Sequence, residues 1–302
     1  MSNSDKLKQL KCAGLESCTW MLGSKPTQQN LKEDSMFSIK SIVAAAAVGL
    51  LSATAGAATV ADLSKDGPFA IDSQAVVANG FGKGTIYAPK QAGSYTLVAV
   101  CPGFVSPESS MTAISKRLAT HGFVVVTIGT TTLLDLPSSR ASQILAALKA
   151  AQGTTTGNVA GKIDSSRLVA SGWSMGGGGT LEAALKTPGL KSAVAYAPWD
   201  TNATQFKGIT VPTLIFGATG DIIAPVKSHS QKFYDAIPTT TPKALAVLQG
   251  SSHFFPNTAI EPVSYTNIAW NKFFVDGDTS YGDVLGASYV DKAWASIVAA
   301  GF

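Results

Sequence analysis

Three side chains in this sequence have the types and the chain order that acyl transfer through a serine requires. Ser174 stands in Leu168-Val169-Ala170-Ser171-Gly172-Trp173-Ser174-Met175-Gly176, an apolar run entering a Gly-x-Ser-x-Gly turn. A stretch rich in small residues follows, so the motif falls in the strand–turn–helix setting of a nucleophile elbow. So tight a turn forces Ser174 into a strained backbone conformation and requires glycine at 172 and 176, where a Cβ would meet the neighbouring strand or helix. The strain lifts the hydroxyl clear of the sheet, at the positive end of the next helix. The plainer alternative is a glycine-rich connection with an incidental serine.

A serine hydroxyl needs a base, and the usual one is a histidine oriented by a carboxylate. The chain has three histidines. His121, between Thr120 and Gly122, reads as a solvent-facing helix end, and His229 lies in a helical pattern as a surface or packing residue. His253, in Gly250-Ser251-Ser252-His253-Phe254, follows an apolar strand, in a loop at the sheet edge where α/β active sites gather. It alone is late enough for the order serine, acid, histidine. Among the acids between them, Glu182 and Asp235 fall in helical patterns. Asp221 and Asp200 each follow a strand at the same edge, and strand position favours Asp221 over Asp200. The oxyanion donors expected are the backbone N–H of Met175, next to the nucleophile, and of Phe104, in Cys101-Pro102-Gly103-Phe104-Val105. Phe104 could equally be no more than a wall of the cleft.

These residues need a scaffold of short buried strands. Leu97–Cys101, Phe123–Ile128, Arg167–Gly172, Ala193–Ala197, Thr213–Phe216 and Ala244–Leu248 are apolar and rich in β-branched residues. Ile71–Ala78 and Gly84–Ala88 read as an opening hairpin around Gly80–Gly84. Met111, Ile114 and Leu118 share a helical face, as do Ile144, Leu145 and Leu148; Val226–Ile237 and Tyr289–Ala300 are further expected helices. Strand and helix alternating in this way imply an α/β fold: a mostly parallel sheet with helices on both faces.

The 302 residues are 45% hydrophobic and 14% charged, a globular composition. A net charge of +4, evenly scattered, gives no footprint for nucleic acid. Met36–Lys40, the apolar run Ile42–Leu51 and Ala55-Gly56-Ala57 have the layout of a signal peptide, too short to remain as a membrane anchor. Residues 1–35 are then a dispensable leader or a mis-called extension, 36–57 the signal peptide, and 58–302 a single catalytic domain. Cleavage near Ala57 would export the protein and remove Cys12 and Cys18. Cys101 would remain, reading as a small buried hydrophobe. No metal cluster, phosphate loop or nucleotide motif is present, so no cofactor is expected.

Several segments recur together in one known family: Gly172-Trp173-Ser174-Met175-Gly176-Gly177-Gly178-Gly179, Pro102-Gly103-Phe104, Ala119-Thr120-His121-Gly122-Phe123-Val124-Val125, Leu136-Pro137-Ser138-Ser139-Arg140, Ala197-Pro198-Trp199, Asp221-Ile222-Ile223-Ala224-Pro225-Val226 and Ser252-His253-Phe254. Over about residues 67 to 283 the chain resembles the bacterial cutinase-like polyester hydrolases, including those acting on poly(ethylene terephthalate), PET. The resemblance implies an α/β-hydrolase fold without a lid, secretion, and cleavage of esters in polymers or acylglycerols. It implies Ser174, Asp221 and His253 as triad, Phe104 and Met175 as oxyanion hole, and Phe104, Trp173, Trp199, Ile223 and Phe254 as substrate contacts. The expected partner is an ester substrate, polymer or small, met by a monomer. Family members sometimes bind calcium, which nothing here demands.

The chain departs from the family in four places. It has no cysteine for the family's C-terminal disulfide, Gly129 stands where Asp is common, Phe254-Phe255 is bulky, and the tail from Ala287 is unlike the family. A lipase or general carboxylesterase on short-chain esters is the nearest alternative. A non-catalytic scaffold holding a hydrophobic ligand is the alternative outside enzymes.

Overall fold

A nine-stranded sheet organises the described residues. The computed structural model describes residues 58–302; the expected leader and signal peptide lie outside the described residues. The strands are β1 (Ile71–Val76), β2 (Gly84–Pro89), β3 (Tyr95–Cys101), β4 (Phe123–Ile128), β5 (Ile163–Trp173), β6 (Ser192–Tyr196), β7 (Thr213–Ala218), β8 (Lys243–Leu248) and β9 (Trp294–Ala300). They lie in the order β1-β2-β4-β3-β5-β6-β7-β8-β9. The six strands from β4 to β8 are mutually parallel; β2 and β9 run against them, and β1 pairs antiparallel with β2 at the margin. The helices are α1 (Val60–Leu63), α2 (Thr112–Thr120), α3 (Pro137–Gln152), α4 (Met175–Lys186), α5 (Ser230–Ala236), α6 (Glu261–Phe274) and α7 (Gly282–Ser288).

The alternation of side chains along each strand builds two cores from one sheet. Leu97, Ala99 and Cys101 of β3 and Val124, Val126 and Ile128 of β4 pack with Ile144 and Leu148 of α3 and Leu181 of α4. Val98, Val100, Phe123 and Val125 point the other way, toward Ile114 and Leu118 of α2 and Ile268 and Trp270 of α6. Each of the large aliphatic and aromatic side chains among them contributes about 1.5–3 kcal/mol on leaving water. Cys101 is fully buried within the first core, and that burial pushes its thiol up to about 12, so it behaves as the small hydrophobe expected.

The C-terminal part corrects the sequence reading. Tyr289–Ala300 is not a helix. Trp294–Ala300 is β9, pairing antiparallel with β8 from Lys243↔Ala300 to Leu248↔Trp294. Without it the backbone edge of β8 would stand unpaired, and that tertiary demand overrides the alanines' helical preference. Of Val226–Ile237 only Ser230–Ala236 is helical. The sequence reading also has no counterpart for α6, in which nine consecutive residues, Val263–Asn271, polar and apolar alike, are buried.

Candidate active site

Parallel strands deliver their C-terminal ends to one edge, and the expected catalytic residues all arrive there. Ser174 caps β5 with φ 57° and ψ −121°, a left-handed conformation rare for a residue with a side chain. Three hydrogen bonds hold it: its N–H donates to Tyr196 O at 3.0 Å, and its carbonyl accepts the N–H of Gly178 and of Trp199, both at 2.9 Å. Strain of this kind persists only where surroundings over-determine it. A Cβ on Gly176 would collide with the carbonyl oxygens of Cys101 and Pro102, so α4 can sit against the end of β3 only with glycine there. Gly176→Ala should therefore lower stability by about 3 kcal/mol or more. A denaturant melt with an unchanged midpoint would contradict this.

The loops after β7 and β8 are tied together. Gly220 N–H donates to Ser251 O at 2.9 Å, and Gly250 N–H to Thr219 Oγ1 at 2.8 Å. That lashing brings His253 Nδ1 to 2.7 Å from Asp221 Oδ2, with both side chains buried. Asp221 Oδ1 accepts the N–H groups of Ile223 and Ala224 at 2.9 and 2.8 Å. Burial alone would raise the Asp221 carboxyl, but the bonds from His253, Ala224 and Ile223 outweigh it and hold it below the ordinary carboxylate range. An ionised carboxylate only accepts, so Nδ1 carries the proton and Nε2 is left with its lone pair. Asp200, the competing acid, points elsewhere, with Oδ1 accepting the Asn202 N–H at 3.0 Å.

Trp173 links the two halves of the site. It is 3% exposed, its indole N–H donates to His253 O at 2.9 Å, and its ring lies 5.5 Å from the imidazole. The sequence reading makes it a substrate contact; in the structure it lies beneath the histidine loop, tied to the His253 carbonyl. The Pro102–Val105 loop closes over the serine, since a Cβ on Gly103 would lie 3.0 Å from Ser174 Cβ. Among the described residues, neither the Phe104 nor the Met175 N–H donates to another protein group. Trp199 is half-buried and stacks on His229 at 6.3 Å, while Phe104, Ile223 and Phe254 are exposed around the opening. His229 is thus the packing residue of the two alternatives. His121 is buried rather than solvent-facing: it caps α2 with Nε2 2.9 Å from Lys65 O, and burial lowers its basicity.

One buried charged residue beside the site has no role in the sequence reading. Arg140 is fully buried, with Nε donating to Asp135 O at 2.7 Å, Nη1 to Pro102 O at 3.1 Å and Nη2 to Leu133 O at 3.1 Å. Val105 N–H donates to the same Leu133 carbonyl at 2.9 Å. The guanidinium staples the Phe104 loop to the neighbouring 131–136 loop, a use of its planar fork that lysine could not reproduce. Among the described residues no group of three or more His, Cys, Asp or Glu side chains could hold a metal ion, and no helix is long and apolar enough to cross a membrane.

A mostly parallel sheet with a strained serine at a strand–helix turn, and with a buried His–Asp pair on the loops of neighbouring strands, defines the class of α/β-hydrolases. The family model for PET hydrolase-like proteins matches residues 53–297. Cutinase est1 of Thermobifida alba is 44% identical over 225 residues, 74% of this chain and 76% of the relative. A cutinase of Thermobifida fusca (strain YX) is likewise 44% identical over 225 residues, 74% of each chain. A bis(hydroxyethyl) terephthalate hydrolase of Streptomyces coelicolor is 44% identical over 224 residues, 72% of this chain and 71% of the relative. This chain belongs to the PET hydrolase-like family, and it is a carboxylic ester hydrolase of the cutinase kind.

Proposed function

We propose that the protein is an exported, monomeric serine esterase whose substrates include polyesters with aromatic acyl groups. The catalytic part is supported by the strained Ser174 backbone, by the buried His253–Asp221 pair, and by the bond from Trp173, next to the serine, to the His253 carbonyl. In the first step Ser174 Oγ attacks the ester carbonyl while His253 Nε2 takes its proton. Asp221 holds the ring in the correct tautomer and stabilises its positive charge. The Met175 and Phe104 N–H groups receive the negative charge that develops on the carbonyl oxygen; losing one such donor typically costs about 3 kcal/mol in the transition state. The alcohol departs with the proton from His253, and a water then repeats the sequence on the acyl-enzyme. Trp199 and Ile223 flank the acyl group, with Phe104 and Phe254 along the approach. Export rests on the signal-like segment 36–57.

The polymer reading is supported by the surface around the cleft. Phe104, Val105, Leu133, Leu134, Leu136, Ile222, Ile223 and Phe254 are eight of the thirteen exposed large hydrophobic side chains among the described residues. Their loops border the site, and so dense an apolar rim suits a solid or chain-like substrate better than a small dissolved ester. Replacing Leu133, Leu134 and Leu136 together by serine should cut product release from polyester film by about tenfold or more, since each lost contact is worth on the order of 1 kcal/mol. Turnover of p-nitrophenyl butyrate should fall far less. The test is a panel of p-nitrophenyl esters, tributyrin and polyester film, run beside a Ser174→Ala control. Hydrolysis of tributyrin with no product from film would favour an ordinary short-chain esterase.

A further inference from the structure

One residue past Trp199 lies a carboxyl group that the reaction above does not use. Asp200 is 8% exposed, and its Oδ2 is buried without a hydrogen-bond donor among the described residues. Glu182, on α4, is 7% exposed and lies within hydrogen-bonding reach of Asp200. The second partner of Glu182 is Lys186, whose Nζ donates to Oε2 at 2.7 Å. We propose that Asp200 and Glu182 share one proton, and that this bond clasps the loop carrying Trp199 to the nucleophile helix, making Asp200 a positioning residue for the acyl wall.

Two carboxylates so close in a dry setting do not both ionise, so a proton is retained between them. Lys186 stabilises the charge on Glu182, which leaves the proton on Asp200. The Asp200 O–H then donates to Glu182, and Oδ2 has its partner. Burial first, and the charge of Glu182 next, raise the Asp200 carboxyl against the opposing N–H groups of Asn202 and Thr201. The groups facing Asp200 are therefore Glu182, with Lys186 attached, from α4, and those two N–H groups from its own loop. His229, which stacks on Trp199, is influenced by Asp221 and His253 instead. The clasp acts on Trp199 because α4 runs hard against it: a Cβ on Gly178 would collide with the Trp199 carbonyl oxygen. A second negative charge at Asp200 would push that loop away from the helix.

The sign follows from the raised carboxyl. The clasp is whole below the ordinary carboxylate value and is lost as pH rises through the higher value of the folded protein. The proton sharing stands independently of the proposed function; the effect on Trp199 rests on that reading. The test is a carbon-13 carboxyl titration of the whole protein labelled at Asp and Glu, with Asp200 assigned by the signal missing in Asp200→Asn. Asp200 should titrate clearly above the other aspartates, and Glu182→Gln should return it toward their range. The KM for p-nitrophenyl benzoate should rise about threefold across the same step, and Asp200→Asn, whose amide still donates to Glu182, should abolish the step. An Asp200 signal in the ordinary range, or one unmoved by Glu182→Gln, overturns the shared proton. A raised titration with a flat KM overturns the positioning role. Neither result touches the triad, which the Ser174→Ala control tests separately.

Discussion

Ser174→Ala will lower the turnover of p-nitrophenyl butyrate by about a millionfold and leave the protein folded. The loss is that large because every later step depends on the acyl-enzyme: without Oγ there is no nucleophile, and the imidazole has no proton to take. What remains is the catalysis by the oxyanion donors and by substrate binding, on the order of 10³-fold over water. Folding should survive because the left-handed backbone at 174 is held by the Tyr196, Gly178 and Trp199 hydrogen bonds, all made by main-chain atoms that alanine keeps. The measurement is a burst-free rate determination on protein treated with a fluorophosphonate, to remove traces of wild type, beside a thermal melt. Retention of more than about a thousandth of the activity would mean that another group attacks the ester.

The elbow was legible in the sequence because its geometry leaves little choice. Only glycine fits at 176 against the end of β3, and only a serine so strained stands clear of the sheet, so the fold writes itself into residue types. His253 and Asp221 were legible through their strands, since a parallel sheet sends every such loop to one edge. What was hidden depends on partners far along the chain. Arg140 is an ordinary surface residue by type, and its burial makes sense only once the carbonyls of Pro102, Leu133 and Asp135 converge on it. Glu182 sits in a helical pattern, and nothing local says that its side of α4 faces the loop of Asp200. β9 could not be read from Trp294–Ala300, whose composition suits a helix, because the reason for the strand is the open edge of β8. α6 escaped for another reason: polar Ser264, Thr266, Asn267 and Asn271 are buried in it beside the apolar residues, and only distant partners such as Tyr196, bonded by Asn267, show that they belong inside.

Asp221→Asn should lower turnover by on the order of 10⁴ while changing KM little, because an amide in that place reverses the demand on the imidazole. Asp221 Oδ2 now accepts from Nδ1, and Oδ1 is fixed by the N–H groups of Ile223 and Ala224. Asparagine will keep its carbonyl toward those two backbone donors and turn its NH₂ toward His253. Nδ1 must then accept, the proton moves to Nε2, and the atom that should take the serine proton becomes a donor. Charge is lost as well, since the imidazolium formed during attack has no anion beside it. Hydrogen bonds from His253, Ala224 and Ile223 outweigh burial and hold the native carboxyl below the ordinary carboxylate range, so the anion that supports the imidazolium persists at neutral pH and is lost only in acid. Asp200→Asn is the matched comparison: it removes the other strand-end acid without altering the tautomer of His253, and its effect should fall orders of magnitude short of 10⁴. Rates for both variants on p-nitrophenyl butyrate at saturation decide between the two acids. An Asp221→Asn enzyme within about tenfold of wild type would remove Asp221 from the chemistry.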